Sequence, residues 1–367
     1  MRLNKIESKE MLISFLLPVY NVEKYLEKCV DSLLCQKGCP YEIILLDYGS
    51  TDSSGKICDR YAEEYPDIIR VIHKENEGLL LTRRRGFAEA QGDWFICVDS
   101  DDYVAPNLLE TVTGVIEKTQ PDMVMYNFEY VNEAGVHTPS RLKLTDGAVF
   151  EGESKETIYE KRLLSVDVNM MWMRAIKRRI LDFDTDYSGL GIHNMCEDAL
   201  QILPLYTNAQ KIVYVDTPLY CYRKGADSIT GKTTIDNWRS SQALFLHTQK
   251  YLKIWNVSEE TEQRFYTQHL EYLSNYVRWL FSAEEAALPA PLPEMIAELK
   301  KEPGFVVSCQ RYCRKYAGSR YLSILVSVLV PMVQRERLVG IRFLLGTEKG
   351  LLAIKEGINR LVKRRTV

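Results

Sequence analysis

The sequence lacks the features that mark several large classes of protein. No apolar run reaches the roughly 20 residues that a membrane-spanning helix requires, and the polar first ten residues contain no signal-peptide core. The nine cysteines form no C-x-x-C pair, and the five histidines show no zinc-ligand spacing. These absences argue against an integral membrane protein and a disulfide framework, and they favour reduced cysteines in a cytoplasmic protein.

Charge is unevenly distributed along the chain. The net charge of the 367 residues is -3, yet 15 Lys and Arg against 4 Asp and Glu follow from Lys300 onward. A basic tail on an acidic body suggests contact with an anionic surface, with a solvated basic helix as the alternative. The apolar segment 321–333 is too short to span a bilayer; it either lies in a membrane interface or packs on the protein or on a second subunit.

Strand and helix patterns alternate through the first 130 residues. This alternation predicts a mostly parallel sheet with helices on both faces, whose ligands bind beyond the carboxyl ends of the strands. The apolar runs that predict strands are 13–17, 42–46, 68–72, 94–98 and 123–126. Beyond them the patterns predict helices at 153–164, at 168–180 and from Glu197, strands at 212–215 and 219–223, and mostly helix after Trp238.

The densest cluster of charge follows the fourth apolar run. Asp99, Asp101 and Asp102 place three carboxylates in four residues. A fold tolerates such repulsion mainly where a cation neutralises it, and oxygen ligands of this kind suit Mg²⁺ or Mn²⁺. An acidic turn that caps the next helix is the alternative.

Three further segments contain candidate functional groups. Asp47 ends the second apolar run, where a carboxylate can accept from a base N–H or a ribose hydroxyl. Arg83 lies on a helix face that is expected to point at the sheet, so it needs an anionic partner, and a guanidinium suits a diphosphate. Glu197 and Asp198 begin a helix, where the helix dipole favours carboxylates, and simple capping is the alternative.

These segments, in this order and spacing, resemble family 2 glycosyltransferases of the GT-A fold, especially bacterial enzymes that build surface polysaccharides. The similarity is dense from residue 12 to about 125 and looser to about 230. The segments involved are 14–21, 47–52, 76–79, Arg83, Gly86, 92–94, 99–102, Trp172, Glu197 and Asp198, Tyr222 and Arg223, and 228–230.

The resemblance implies roles for the candidate residues. The nucleotide-sugar site would consist of Pro18, Tyr20, Asp47, Arg83, Asp99 and Ser100. The first three would hold the nucleobase and ribose, Arg83 would approach the diphosphate, and Asp99 would contact the ribose. Asp101, with Asp102, would hold Mn²⁺ or Mg²⁺. Asp198 would be the general base, with Glu197 beside it; alternatively, Glu197 would hold the acceptor or orient the loop.

Two positions depart from the family pattern. Tyr48 stands where the family usually has a second Asp, which removes a charge from the nucleotide pocket. The family often has a Lys after the equivalent of Trp172, and here Met173 and Arg174 occupy that stretch. Arg174 either replaces the cation or has a structural role.

The sequence thus predicts a GT-A α/β domain over residues 1–235 and a helical C-terminal region over 236–367. The expected reaction is inverting transfer of a sugar from a nucleotide diphosphate sugar, with UDP as the default. The expected acceptor is a saccharide or a lipid-linked oligosaccharide, reached in the cytoplasm or at the inner face of the plasma membrane. No nucleic-acid partner is expected, and a homo-oligomer is left open.

Two other functions are considered. An interaction subunit that has lost transferase activity would explain Tyr48, although the carboxylates argue against it. A nucleotidyltransferase would usually have a Gly-rich loop after the first strand, and residues 18–21 contain no glycine.

Overall fold

The computed structural model describes residues 10–140, 142–192, 195–224, 234–283, 288–316, 320–341 and 344–345. Residue contacts divide the chain into one unit of residues 1–232 with 253–255 and a second of 233–252 with 256–367. The domain boundary at residue 235 stays a prediction. The resembling segment 228–230 and the basic end of the tail lie outside the described residues.

A ten-stranded mixed sheet forms the centre of the first unit. Its strands are β1 (Ile13–Val19), β2 (Tyr41–Asp47), β3 (Ile69–His73), β4 (Trp94–Cys97), β5 (Tyr103–Val104), β6 (Met123–Val131), β7 (His137–Pro139), β8 (Val149–Glu151), β9 (Arg174–Lys177) and β10 (Lys211–Arg223). The order is β3-β2-β1-β4-β9-β6-β10-β5, with β7 beside β6 and β8 beside β10.

Helices accompany the strands, as the alternating pattern predicted. They are α1 (Leu26–Leu34), α2 (Ser54–Glu64), α3 (Leu79–Glu89), α4 (Leu108–Thr119), α5 (Lys155–Leu164) and α6 (Glu197–Asn208). Each of α1 and α4 buries one apolar stripe, while every residue of β1 and β4 is buried. The expected α/β architecture is confirmed, but the sheet is mixed where a mostly parallel one was predicted: β1 to β4 run parallel, as do β6 and β10, and the other strand pairs are antiparallel.

The helix predicted at 168–180 is wrong. This segment forms a short 3₁₀ turn, Met171–Met173, followed by β9, which pairs antiparallel with both β4 and β6. Residues 171–176 are all buried, so their apolar pattern has no exposed face from which to read a helical or a strand period. The two strands predicted at 212–215 and 219–223 are one strand, β10, with register shifts near Pro218.

The second unit is helical, which confirms the expectation for the C-terminal region. Its helices are α7 (Ile235–Ile254), α8 (Glu259–Ser282), α9 (Leu292–Leu299), α10 (Pro303–Arg311) and α11 (Arg320–Gln334). The apolar segment 321–333 lies in α11, where Val326, Leu329 and Val333 are each 1% exposed in the hydrophobic core of this unit. This burial favours packing on the protein. Within the described residues, no helix combines the length and apolar character needed to cross a membrane.

Gly92 holds the start of β4 against β1, and we expect it to tolerate no side chain. A Cβ there would lie 2.7 Å from the Ser14 backbone nitrogen and 2.8 Å from the Trp94 carbonyl oxygen. We predict that Gly92→Ala lowers the free energy of unfolding by about 1–3 kcal/mol, the usual cost of overpacking, measured by urea denaturation. The matched control is Gly114→Ala in α4, where nothing lies within 4 Å of the new Cβ. It should stabilise by about 0.4–1 kcal/mol, and equal losses in both variants would contradict this account.

Candidate active site

The carboxyl ends of β1, β2 and β4 lie side by side because these strands are parallel neighbours. The register places Val19 of β1 beside Asp47 of β2. The Val98 N–H then donates to the Leu16 carbonyl at 2.9 Å, immediately before the acidic segment. This edge of the sheet therefore brings the residues of three separate sequence segments together.

A fully buried guanidinium lies at this edge. Arg83, on α3, is 0% exposed, and its Nη2 donates to Asp99 Oδ1 at 2.9 Å. Its Nη1 donates to Asp198 Oδ1 and lies 3.7 Å from Glu197 Oε1. Burial works to lower the pKa of Arg83, but these carboxylates outweigh it and raise that pKa well above its ordinary value. The predicted need of Arg83 for an anionic partner is confirmed.

The first turn of α6 supplies the other carboxylates. Cys196 adopts a left-handed conformation, φ 69°, at the N-cap, and Glu197 and Asp198 follow it directly. Asp198 Oδ2 accepts from the Met171 N–H at 3.2 Å, while Oδ1 accepts from Arg83. Two independent donors thus hold Asp198 in one orientation, and its side chain retains 22% exposure.

Burial and crowding raise the pKa values of two carboxyl groups around Arg83. Burial, and then the charge of Asp198, raise the pKa of Glu197 to about 7 despite the opposing effect of Arg83. Burial likewise raises the pKa of Asp99 to about 6 against the effect of Arg83. One guanidinium cannot neutralise three carboxylates, so the site favours the uptake of a proton or of another cation.

The three acidic residues after β4 have different surroundings. Asp102 is 1% exposed, and its two oxygens accept from the Tyr220 hydroxyl at 2.8 Å and the Arg223 N–H at 2.7 Å. Asp101 is exposed, and its side chain makes no hydrogen bond or ion pair with another residue in the described ranges. Asp99 has one oxygen on Arg83. The oxygen ligands most available to Mg²⁺ or Mn²⁺ are therefore those of Asp101, with the second oxygen of Asp99.

Ser100 ties the acidic segment to β1. It is buried, and its hydroxyl donates to the Pro18 carbonyl oxygen at 2.6 Å. The predicted donor-site residues Pro18 and Ser100 are thus adjacent. The Ser100 hydroxyl proton is used in this hydrogen bond, so the contact positions the loop.

The expected nucleobase side of the site has a held carboxylate and an aromatic pair. Asp47 is buried, with Oδ1 accepting from the Ser50 N–H at 3.0 Å and Oδ2 lying 2.8 Å from His73 Nδ1. Beside it, the rings of Tyr20 and Tyr48 stack with centroids 5.1 Å apart. Tyr48 therefore replaces the usual acidic group with an aromatic surface.

An aromatic cluster borders the start of α6. Trp172 stacks on Tyr220 and Tyr222, with ring centroids 4.3 and 5.6 Å away. Trp172 directly follows Met171, whose N–H binds Asp198. Arg174, by contrast, is fully buried and donates to the carbonyls of Val168 and Met170, which favours a structural role.

Sequence reasoning missed Tyr220 and His73. Tyr220 is fully buried, accepts from the Asp99 N–H at 3.1 Å and donates to Asp102, so it anchors both ends of the acidic segment. The alternation of Tyr220 and Tyr222 on one face of a strand was the available signal. His73 ends β3 next to the end of β2, which the parallel order alone could have indicated.

A mixed sheet with flanking helices, followed in the chain by a helical region, is the GT-A type of fold. The solved structure of S. aureus TarS 1-349 shares this fold, with a TM-score of 0.59 and 19% identity over 93% of this chain and 92% of that one. TarS has also been solved in complexes with UDP-GlcNAc and with UDP.

Residues 14–183 match the model of "Glycosyl transferase family 2". Glycosyltransferase GlyG of Streptococcus pneumoniae is 31% identical over 59% of this chain and 72% of GlyG. The Bacillus subtilis glycosyltransferase EpsJ is 32% identical over 60% of this chain, and the match spans only 63% of EpsJ. The chain belongs to glycosyltransferase family 2, as the sequence resemblance predicted.

The raised pKa of Glu197 predicts a pH-dependent stability. The pKa of Glu197 is near 7 in the folded protein and ordinary in the unfolded chain. Its protonated form therefore stabilises the fold at a pH below the unfolded-state pKa, and this contribution is lost as the pH rises through 7. In EDTA, Glu197→Gln should therefore gain stability relative to the wild type between about pH 4.5 and 8, by roughly 1.4 kcal/mol per unit of pKa separation. Thermal unfolding across this range tests it. The exposed Glu63→Gln is the control, and a difference that does not change with pH would refute the assignment.

Proposed function

We propose that the protein transfers a sugar from a nucleotide diphosphate sugar, with UDP as the nucleotide, to an acceptor hydroxyl with inversion at the anomeric carbon. The observation that carries this proposal is the position of Arg83, whose one guanidinium contacts both Asp99 of the acidic segment and Asp198 of α6. An in-line displacement needs the donor sugar and the general base close together, and the shared contact with Arg83 supports this role for Asp99 and Asp198.

The donor pocket is proposed at the ends of β1 and β2. The stacked Tyr20 and Tyr48 would supply an aromatic surface for the nucleobase. Asp47, held by Ser50 and His73, would accept a hydrogen bond from a nucleobase N–H or from a ribose hydroxyl. The fold likeness to TarS, which binds UDP and UDP-GlcNAc, supports a uridine nucleotide. Tyr48 thus fits a binding role without the second Asp.

The metal requirement is proposed from the surroundings of the acidic segment. Asp101 and the second oxygen of Asp99 would hold Mn²⁺ or Mg²⁺, because both are hard oxygen donors and Asp101 is exposed. When bound, the ion would neutralise charge on the diphosphate as it leaves. Asp102 is proposed to position the loop, because protein donors already occupy both of its oxygens.

Asp198 is proposed as the general base. It would accept the proton of the acceptor hydroxyl while the hydroxyl oxygen bonds to the anomeric carbon and the glycosyl–phosphate bond breaks, its electron pair leaving with the nucleoside diphosphate. Arg83 and the Met171 N–H fix its orientation, and each oxygen keeps a lone pair. Glu197, whose side chain is 11% exposed, would bind the acceptor or adjust the local charge by taking up a proton.

The acceptor is proposed to be a saccharide, free or linked to a lipid. The aromatic cluster of Trp172 continues to the half-buried rings of Tyr222 and Tyr130, which lie 5.9 Å apart. Aromatic rings next to the proposed general base, Asp198, offer apolar faces to a sugar ring. Contact with a membrane or a second subunit would be additional to this site.

Binding of UDP is predicted to require the metal ion. UDP with Mn²⁺ should raise the stability of the wild type by about 2.7 kcal/mol at a hundredfold excess over Kd, and Asp101→Asn should abolish the metal-dependent part. Thermal unfolding with UDP, GDP, CMP and dTDP measures this. The control Asp67→Asn removes an exposed carboxylate before β3, away from the site. If no nucleotide stabilises the wild type, the interaction-subunit reading replaces this proposal.

Loss of the base should affect turnover and leave donor binding intact. Asp198→Asn is expected to lower kcat by about 10²–10⁴-fold while keeping the stabilisation by UDP and Mn²⁺. UDP release from UDP-GlcNAc and other UDP-sugars, with saccharide acceptors present, measures the rate. A kcat within tenfold of the wild type would remove Asp198 from this role and direct attention to Glu197.

A further inference from the structure

Three side chains of metal-binding type converge on one face of the sheet in the first unit. Glu129 of β6 is paired with Cys221 of β10 on one side and with Pro139 of β7 on the other. His137 lies two residues before Pro139, so it points to the same face as Glu129. Glu129 is 8 positions from His137 and 92 positions from Cys221 along the chain, which explains why no ligand spacing is visible in the sequence.

The distances suit a common ligand. Glu129 Oε1 lies 2.7 Å from His137 Nδ1 and 3.8 Å from Cys221 Sγ, and one ligand atom from each residue lies within 4.8 Å of the others. Ligands of a tetrahedral zinc ion are roughly 3.3 to 3.6 Å apart, given bond lengths of about 2.0–2.3 Å. Side-chain shifts of less than about one ångström would therefore complete this geometry.

We propose that Glu129, His137 and Cys221 form a binding site for a divalent transition-metal cation, of which Zn²⁺ fits best. A thiolate, an imidazole and a carboxylate are the ligands that zinc takes in proteins, and a water molecule would fill the fourth position. The set differs in kind from the all-oxygen carboxylates after β4, which suit Mg²⁺ or Mn²⁺. The proposed site therefore shares no ligand with the proposed donor-metal site.

The surroundings match those of a metal-bound histidine. Such residues generally donate their second ring N–H to a nearby acceptor. The Tyr103 hydroxyl lies 3.4 Å from His137 Nε2 and would be that acceptor. A metal bound at Nδ1 would replace the contact between Nδ1 and Glu129.

Binding requires the loss of the thiol proton as well. Burial, and then the Glu129 charge, raise the pKa of Cys221 to about 11, so the free protein holds a thiol. The metal–sulfur bond would form as that proton passes to solvent, and the thiolate and carboxylate would together neutralise a divalent ion. His137, 42% exposed at its side chain, leaves the ion a route from solvent.

Metal titration of the EDTA-treated full chain tests this proposal. Co²⁺ should give one equivalent of a thiolate-to-cobalt charge-transfer absorption, and Zn²⁺ should displace it and raise the Tm. Cys221→Ser should lose the absorption. His137→Gln changes an exposed side chain and should fold normally. It should weaken Co²⁺ affinity at least about tenfold, since even mutation of a residue that only hydrogen-bonds to a metal ligand can have this effect.

Two controls separate this site from others. Cys35→Ser removes an exposed thiol and should keep the absorption, and Asp101→Asn should keep it too because the donor metal binds elsewhere. Absorption that persists in Cys221→Ser, or a wild type that neither binds Co²⁺ nor gains Tm with Zn²⁺, would overturn the proposal. Glu129 and His137 would then be a hydrogen-bonded pair beside an unliganded thiol.

Discussion

The buried charge of Arg83 constrains the whole site. A guanidinium removed from water is tolerated only when carboxylates surround it, so α3, the segment after β4 and the first turn of α6 must meet at that point. These elements come from different parts of the chain, and the Arg83 ion pairs add to the apolar packing that holds α3 on the sheet, for example Phe87 against Phe95. The single positive charge of Arg83 does not balance the carboxylates around it, and the remaining negative charge makes the site receptive to further cations.

Neighbouring carboxylates in one short segment have unequal environments because each has different partners. Asp99 is shared with Arg83, Asp101 faces solvent, and Asp102 is held by Tyr220 and the main chain of β10. A buried hydroxyl that contacts both Asp99 and Asp102 fixes the segment between them. The loop is therefore held both by β1, through Ser100 and Pro18, and by β10, a strand more than a hundred residues later.

The sequence allowed much of this arrangement to be predicted, and the failures have physical reasons. Strand ends, the buried face of Arg83 and the acidic segment follow from local periodicity and charge. The helix predicted at 168–180 failed because residues 171–176 at its centre are all buried and so show no amphipathic period. The anchoring role of Tyr220, and the approach of Glu129, His137 and Cys221, depend on strand pairing between distant segments, which no local pattern encodes.

The central position of β9 has a consequence for biosynthesis. β4 and β6 are neighbours of β9 and not of each other, so the two halves of the sheet stay separate until residues 174–177 leave the ribosome. During that interval both strands present unpaired edges, which favour association with other chains. Long-range pairing of this kind also slows folding. Insertion of the four-residue strand β9 covers the edge of β4 and one edge of β6, whereas the other edge of β6 waits for β10. We therefore expect cellular yield to depend on how quickly both strands pair.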